Sequence, residues 1–259
     1  MSEAGPREAI PAVHQDRARA ESFGNVASEY ERLRPPYAAA LLDELASLKA
    51  PQALDVGCGT GKVAAALKER GQAILGVEPD ARMAAVARAQ GLEVELGTFE
   101  SWDDAGRQFA LVTCGNAWHW VNPTLGFAKL ATVLSSGGTF GMFFAVDVLD
   151  ADVAARLADV YRAHAPGLEV FGDPKLHREV DPFAGVELFE SVEKCIFPVE
   201  RTLSVDDCVG LMATVSNHQR LEADRLTALQ RAAREALNEL GPAVRARCST
   251  HAWLARRKR

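Results

Sequence analysis

The chemistry-bearing residues of this chain concentrate in Leu54-Asp55-Val56-Gly57-Cys58-Gly59-Thr60-Gly61 and Gly76-Val77-Glu78-Pro79-Asp80. The first reads as a short buried strand, a glycine turn and a helix start. The second reads as a strand ending in an acid roughly twenty residues on, the layout of a nucleoside-binding βαβ unit. Glycines there let backbone approach a ligand, and the acid accepts hydrogen bonds from ribose hydroxyls.

A dinucleotide fingerprint needs Gly-x-Gly-x-x-Gly above a pyrophosphate. Here the spacing is Gly57-x-Gly59-x-Gly61, and Lys62 stands where the third dinucleotide glycine belongs. Asp55, at the strand end, would repel a pyrophosphate and suit an ammonium group. S-adenosyl-L-methionine, with adenosine at one end and an amino acid at the other, fits better than NAD.

Further segments follow in order: Gly97-Thr98-Phe99-Glu100, Phe109 to Cys114, Ala117-Trp118-His119-Trp120 and Leu134 to Thr139. Together with the two signatures, they resemble class I S-adenosylmethionine-dependent methyltransferases over roughly residues 23–145. The His-Trp pair and the Tyr30…Arg34-Pro35-x-Tyr37 entry look like the small-molecule branch that includes trans-aconitate-type methyltransferases. The resemblance implies a Rossmann-like, doubly wound α/β fold: a seven-stranded mixed sheet with helices on both faces and a helical cap, its last two strands an antiparallel edge hairpin. It also implies methyl transfer to a carboxylate, hydroxyl or amine. Alternatives are a cyclase or decarboxylase using the same cofactor, a non-catalytic cofactor-binding module and, more weakly, a dehydrogenase.

On that resemblance, Gly57, Gly59 and Gly61 would approach the homocysteine and ribose portions. Glu78, beside Pro79, would hold the ribose. Met83 would pack on adenine, with Thr98 and Phe99 at the adenine edge, where many relatives place an Asp. Tyr30 and Arg34 would close over the amino-acid end, and Asn116 and Ala117 would end the fourth strand at the ligand edge. His119 is the candidate general base, since imidazole titrates near neutrality. Strand-like alternation would set Trp118 and Trp120 on one side, available to a sulfonium through cation–π contact, and His119 on the other. Substrate candidates are Phe143, Phe144, His177, Thr214, Ser216, Asn217, His218 and Arg220.

The elements that must position these residues alternate regularly. The pattern predicts strands at 52–56, 73–78, 92–96, 109–114 and 139–145, and helices at 60–70, 80–90 and 122–134. Such alternation implies right-handed crossovers and a parallel sheet covered on both faces. Upstream, Leu41, Leu42, Leu45 and Leu48 mark an amphipathic helix after Pro35-Pro36. Downstream come a helix over 150–164, a strand region over 186–197, a helix opened by Ser204, a long helix from Gln219 to Leu240 and a last strand over 243–254. The reading is one domain: an N-terminal lid and helix (1–48), a cofactor-binding core (49–145), a cap with the sixth strand (146–240), and a last strand with a basic tail (241–259). Residues 1–22 are expected to be loose unless docked.

Composition bounds the rest. A 259-residue chain with 48% apolar residues can bury a full core. A net charge of −6 offers no footprint for a phosphate backbone, and the basic run Arg256 to Arg259 reads as a solvated terminus. Five scattered cysteines support neither a disulfide framework nor a zinc site. The start lacks a secretory pattern, and no apolar run is long enough for a bilayer. The expectation is a cytoplasmic protein acting on a small molecule, with no metal, membrane or nucleic-acid partner and an open oligomeric state.

Overall fold

The computed structural model describes residues 13–16, 22–172 and 182–259. Its core is a seven-stranded sheet in the order β3-β2-β1-β4-β5-β7-β6. Strands β1 (Ala53–Val56), β2 (Ile74–Glu78), β3 (Glu93–Leu96), β4 (Phe109–Gly115) and β5 (Leu134–Leu149) are parallel. The last strand in sequence, β7 (Ala243–Arg257), inserts antiparallel between β5 and β6 (Phe189–Ser204). The doubly wound α/β architecture expected from the alternation is the one observed.

Local chemistry starts the helices. Asp80 accepts the Arg82 N–H at 2.8 Å and opens α4 (Ala81–Ala89), after α1 (Ala27–Leu33), α2 (Ala39–Ser47) and α3 (Lys62–Glu69). Asn122 accepts the Leu125 N–H at 3.1 Å, and Pro123 occupies the first turn of α5 (Pro123–Val133), where no N–H is needed. Ser204 caps α7 (Val205–Ala213) through the Asp207 N–H at 3.0 Å. The cap is completed by α6 (Ala151–His164) and α8 (Ala223–Asn238), whose apolar faces share a core around Leu157, Tyr161, Met212, Leu229 and Leu237.

Two layers sandwich the sheet. Leu41, Leu42 and Leu45 of α2 pack with Val63, Leu67 and Phe143 on one face; Trp118, Leu130, Val133 and Phe140 fill the other. Leu48, expected on the buried stripe, is 44% exposed because α2 ends at Ser47.

Three expectations are corrected. Strand β5 is far longer than 139–145, because β7 pairs with it from Thr139↔Arg256 to Leu149↔Ala246. The long helix begins at Ala223, since His218–Arg220 forms a separate 3-10 turn. The basic tail is not a solvated end: β7 runs to Arg257, whose guanidinium donates to the Leu134 carbonyl. Beside it Arg256 pairs with Glu190 at 3.2 Å, and the Lys258 N–H donates to the Leu188 carbonyl at 3.1 Å. No helix among the described residues is long and apolar enough to cross a membrane.

Candidate functional site

The carboxyl ends of β1, β2 and β4 open on a cavity of about 280 Å³. Open α/β sheets bind ligands at this edge because successive loops diverge there. Its walls hold Gly57 and Gly59 after β1, Glu78, Pro79 and Met83 from β2 into α4, and Thr98, Phe99 and Glu100 after β3. Gly115, Asn116, Ala117, His119, Trp120 and Val121 follow β4. Phe23, Tyr30 and Arg34 close one side, and Val215 and Ser216 of the cap close another.

The glycine turn divides its labour. Gly57 and Gly59 adopt φ of 61° and 57°, backbone that favours glycine, and both line the cavity. A Cβ on Gly59 would meet nothing nearer than Met83 Cε at 3.4 Å, so the space above it is open cavity. Gly61, with φ of 93°, does not line the cavity. A Cβ there would lie 2.3 Å from Leu92 Cδ1 and 3.1 Å from Ala87 Cβ, so this glycine serves helix packing instead. The homocysteine and ribose approach expected of Gly61 therefore has no counterpart in the cavity lining.

Glu78 is the electrostatic centre of the wall. It is 7% exposed; Oε2 accepts the Gly59 N–H at 2.9 Å and Oε1 the Asp80 N–H at 2.9 Å. Burial outweighs those two bonds and pushes its pKa up to about 7. Each oxygen keeps a further lone pair for an incoming hydroxyl donor.

Asp55, expected at the ammonium end, does not reach the cavity wall. In register with it on β4 lies Thr113, whose hydroxyl donates to Oδ1 at 2.8 Å, while Oδ2 has no partner. Burial again raises its pKa to about 7.

The N-terminal segment is tied over the opening. Phe23 stacks edge-on against both Tyr30 and Trp120, with centroids at 5.7 and 5.9 Å. The Arg34 guanidinium lies 5.1 Å from the Tyr30 ring centre, and its Nη2 donates to the Thr214 carbonyl at 2.6 Å. Its Nε is buried without a partner. Lys62, the residue that broke the dinucleotide pattern, reaches up to the Glu31 carbonyl.

Past β4 the chain turns at Asn116, which has φ of 55°; its Oδ1 accepts the Ala145 N–H at 3.0 Å and so fixes the loop to β5. Residues Trp118–Trp120 then form a 3-10 turn rather than a strand. Three residues per turn replace two, so Trp118 and Trp120 part company. Trp118 is buried against Phe127 and Phe140, while exposed His119 and half-buried Trp120 both line the cavity. Thr98 faces the same space, with Oγ1 2.8 Å from Ser101 Oγ.

Of the substrate candidates, Ser216 lines the cavity. Phe143 and Thr214 are fully buried, and His218 is locked to Tyr161 at 2.6 Å. Phe144, Asn217 and Arg220 lie outside the cavity wall, and His177 falls outside the described residues. Sequence reasoning missed Phe23, Glu100 and Val215. Only Glu100 had a local signal, as the acid closing the third signature; its Oε1 accepts the Asn122 N–H at 2.8 Å.

Residues 53–138 match the family model described as a methyltransferase domain. A protein from Anaeromyxobacter dehalogenans assigned to the type II methyltransferases superposes with a TM-score of 0.64. The two are 23% identical, with 86% of this chain and 97% of that one covered. This is the class I methyltransferase fold. The plantazolicin methyltransferase BpumL shares it at a TM-score of 0.50 and 14% identity, covering 95% and 96% of the two chains. An uncharacterized methyltransferase of Mycobacterium bovis is 37% identical over 123 residues, 47% of this chain and 51% of that protein. The chain thus spans about half the length of that relative and of its Mycobacterium tuberculosis counterparts. The matched segment contains β1 to β4 and hence the glycine turn, Glu78 and His119.

Proposed function

We propose that this protein transfers the methyl group of S-adenosylmethionine to a small-molecule acceptor, as the methyltransferase-domain match and the resemblance to the small-molecule branch suggest. The observation that carries the reading is the shared wall: the Glu78 carboxylate, Gly57 and the open backbone of Gly59 face one cavity. An adenosyl amino acid fits these groups. Gly57 and Gly59 would admit its backbone-sized approach, Glu78 would accept from ribose hydroxyls, and Met83 and Phe99 would pack on the adenine. Thr98 would offer a hydroxyl at the adenine edge, a weaker acceptor than an Asp carboxylate. Tyr30 and Arg34 would close over the amino-acid end. BpumL, which shares the fold, was solved with SAH.

When bound, S-adenosylmethionine supplies a methyl carbon activated by sulfonium; an acceptor lone pair forms the new bond as the sulfur–carbon pair returns to sulfur. The protein's own work is then mainly positioning and exclusion of water. Phe23, Trp120 and Val121 line the opening with apolar surface that excludes solvent. His119 would take the proton from a hydroxyl or amine acceptor; a carboxylate acceptor needs no base. The net charge of −6 suits a small acceptor better than a nucleic acid.

Calorimetric titration with S-adenosylmethionine and S-adenosylhomocysteine, against NADH as control, tests the reading. Micromolar binding of both adenosyl ligands and none of NADH is expected. Binding of NADH alone would overturn it in favour of a dehydrogenase, and binding of none would leave a non-catalytic scaffold.

A further inference from the structure

One side of the cavity is walled by His119 and Trp120. From it a row of rings runs outward over the sheet. The His119 ring lies 4.8 Å from Trp120 and 5.9 Å from Phe144, and Phe144 meets Trp253 edge-on at 6.1 Å. These centroid spacings fall in the range where aromatic rings attract one another. Phe144 and Trp253 are half-buried at the margin of the core, in contrast to the sealed Trp118 and Phe140. Lys194 Nζ stands 5.8 Å from the Trp253 ring centre and braces its far end.

The row is built by the long antiparallel strands. Phe144 lies on β5, Trp253 on β7 beside it, and the strand neighbours in register are His251 opposite Phe144 and Ile196 opposite His251. The ladder therefore holds the rings at fixed spacing, continuous with the cavity at His119. Its lining is predominantly aromatic, with the Lys194 ammonium at its end.

We propose that this row is the acceptor subsite and that the acceptor is a flat aromatic molecule. It stacks along His119, Phe144 and Trp253 and presents a ring hydroxyl or amine at the cavity mouth. The assignment rests on the methyl-transfer reading. In the reaction it implies, the ring oxygen or nitrogen lone pair bonds to the methyl carbon, sulfur keeps the pair of the broken bond, and the acceptor proton passes to the His119 imidazole.

The test is fluorine NMR of the full chain labelled with 5-fluorotryptophan, whose four tryptophans give four resonances. Trp120→Phe and Trp253→Phe assign the two that matter. The probe is 2-naphthol, with cyclohexanol as the non-aromatic control, each added in the presence of S-adenosylhomocysteine. Naphthol should move the Trp120 and Trp253 resonances and leave buried Trp102 and Trp118 in place; cyclohexanol should move none at equal concentration. Phe144→Leu should weaken naphthol about fivefold while S-adenosylhomocysteine affinity holds. Naphthol that leaves Trp253 unmoved, or cyclohexanol that matches it, overturns the proposal. Failure of S-adenosylhomocysteine itself to bind the wild-type chain instead overturns the methyl-transfer reading beneath it.

Discussion

Glu78 Oε2 accepts the backbone N–H of Gly59 at 2.9 Å, so an acid and a glycine 19 positions apart form one polar wall. The bond orients the carboxylate across the cavity and leaves the glycine's other side open. Ligand recognition and protonation are thereby coupled at a single group.

That coupling has a pH signature. Glu78 and Asp55 both have folded pKa values raised to about 7 from 4.5 and 3.8. Between the ordinary carboxylate range and neutrality the folded state holds more protons than the unfolded one. Stability therefore falls as pH rises through that window and levels off above it. Thermal melts of the ligand-free protein should show a higher Tm at pH 5.5 than at pH 8. Glu78→Gln, which cannot ionise, should flatten the slope; a Tm that rises with pH over this window would refute the assignment.

Ligand affinity should run the other way. Ribose hydroxyls donate best to an ionised Glu78, so S-adenosylhomocysteine should bind more weakly at pH 5.5 than at pH 8. The change is bounded at roughly tenfold per pH unit for one linked proton. Calorimetry at both pH values measures it, and a pH-independent affinity would remove Glu78 from the ligand.

Gly59→Val places a branched side chain into open cavity space. Cofactor binding should be lost, whereas the cost to folding should stay near the roughly 1–2 kcal/mol of a left-handed residue. Gly71→Ala is the matched control, because Gly71 has φ of 82° and no atom within 4 Å of a Cβ. The control should lose stability and keep binding. A normal isotherm for Gly59→Val would displace the site.

Gly61→Ala should do the reverse. It collides with Leu92 and Ala87 in a left-handed conformation. A destabilisation of about 2–5 kcal/mol is expected from strain and overpacking together, read as a lower denaturant midpoint. A loss of binding without loss of stability would return Gly61 to the ligand wall.

His119→Ala should leave S-adenosylhomocysteine affinity within a few-fold, because the residue sits on the acceptor side. Turnover of a hydroxyl or amine acceptor should fall by about 10²-fold or more. Unchanged turnover would mean that the acceptor needs no base.

The sequence determined the alternation of strands and helices, and with it the sheet edge at which a ligand must sit. Glycine spacing and the position of Glu78 are local properties, legible because a turn and a strand end are specified by adjacent residues. Its strand-end position and charge pointed Asp55 at the ammonium end, whereas its pairing with Thr113 depends on β4 lying beside β1. Strand alternation misplaced Trp118 for a related reason: the residues after β4 turn into a 3-10 helix once Asn116 is fixed to β5. Phe23, Val215 and Trp253 carry no sequence signal toward the cavity or the ring row. Their positions come from the N-terminal segment, the cap and strand β7, which are remote in the chain and meet only when the sheet closes. Long-range pairing, as between β5 and β7, is a tertiary event, and it decided what surrounds the candidate site.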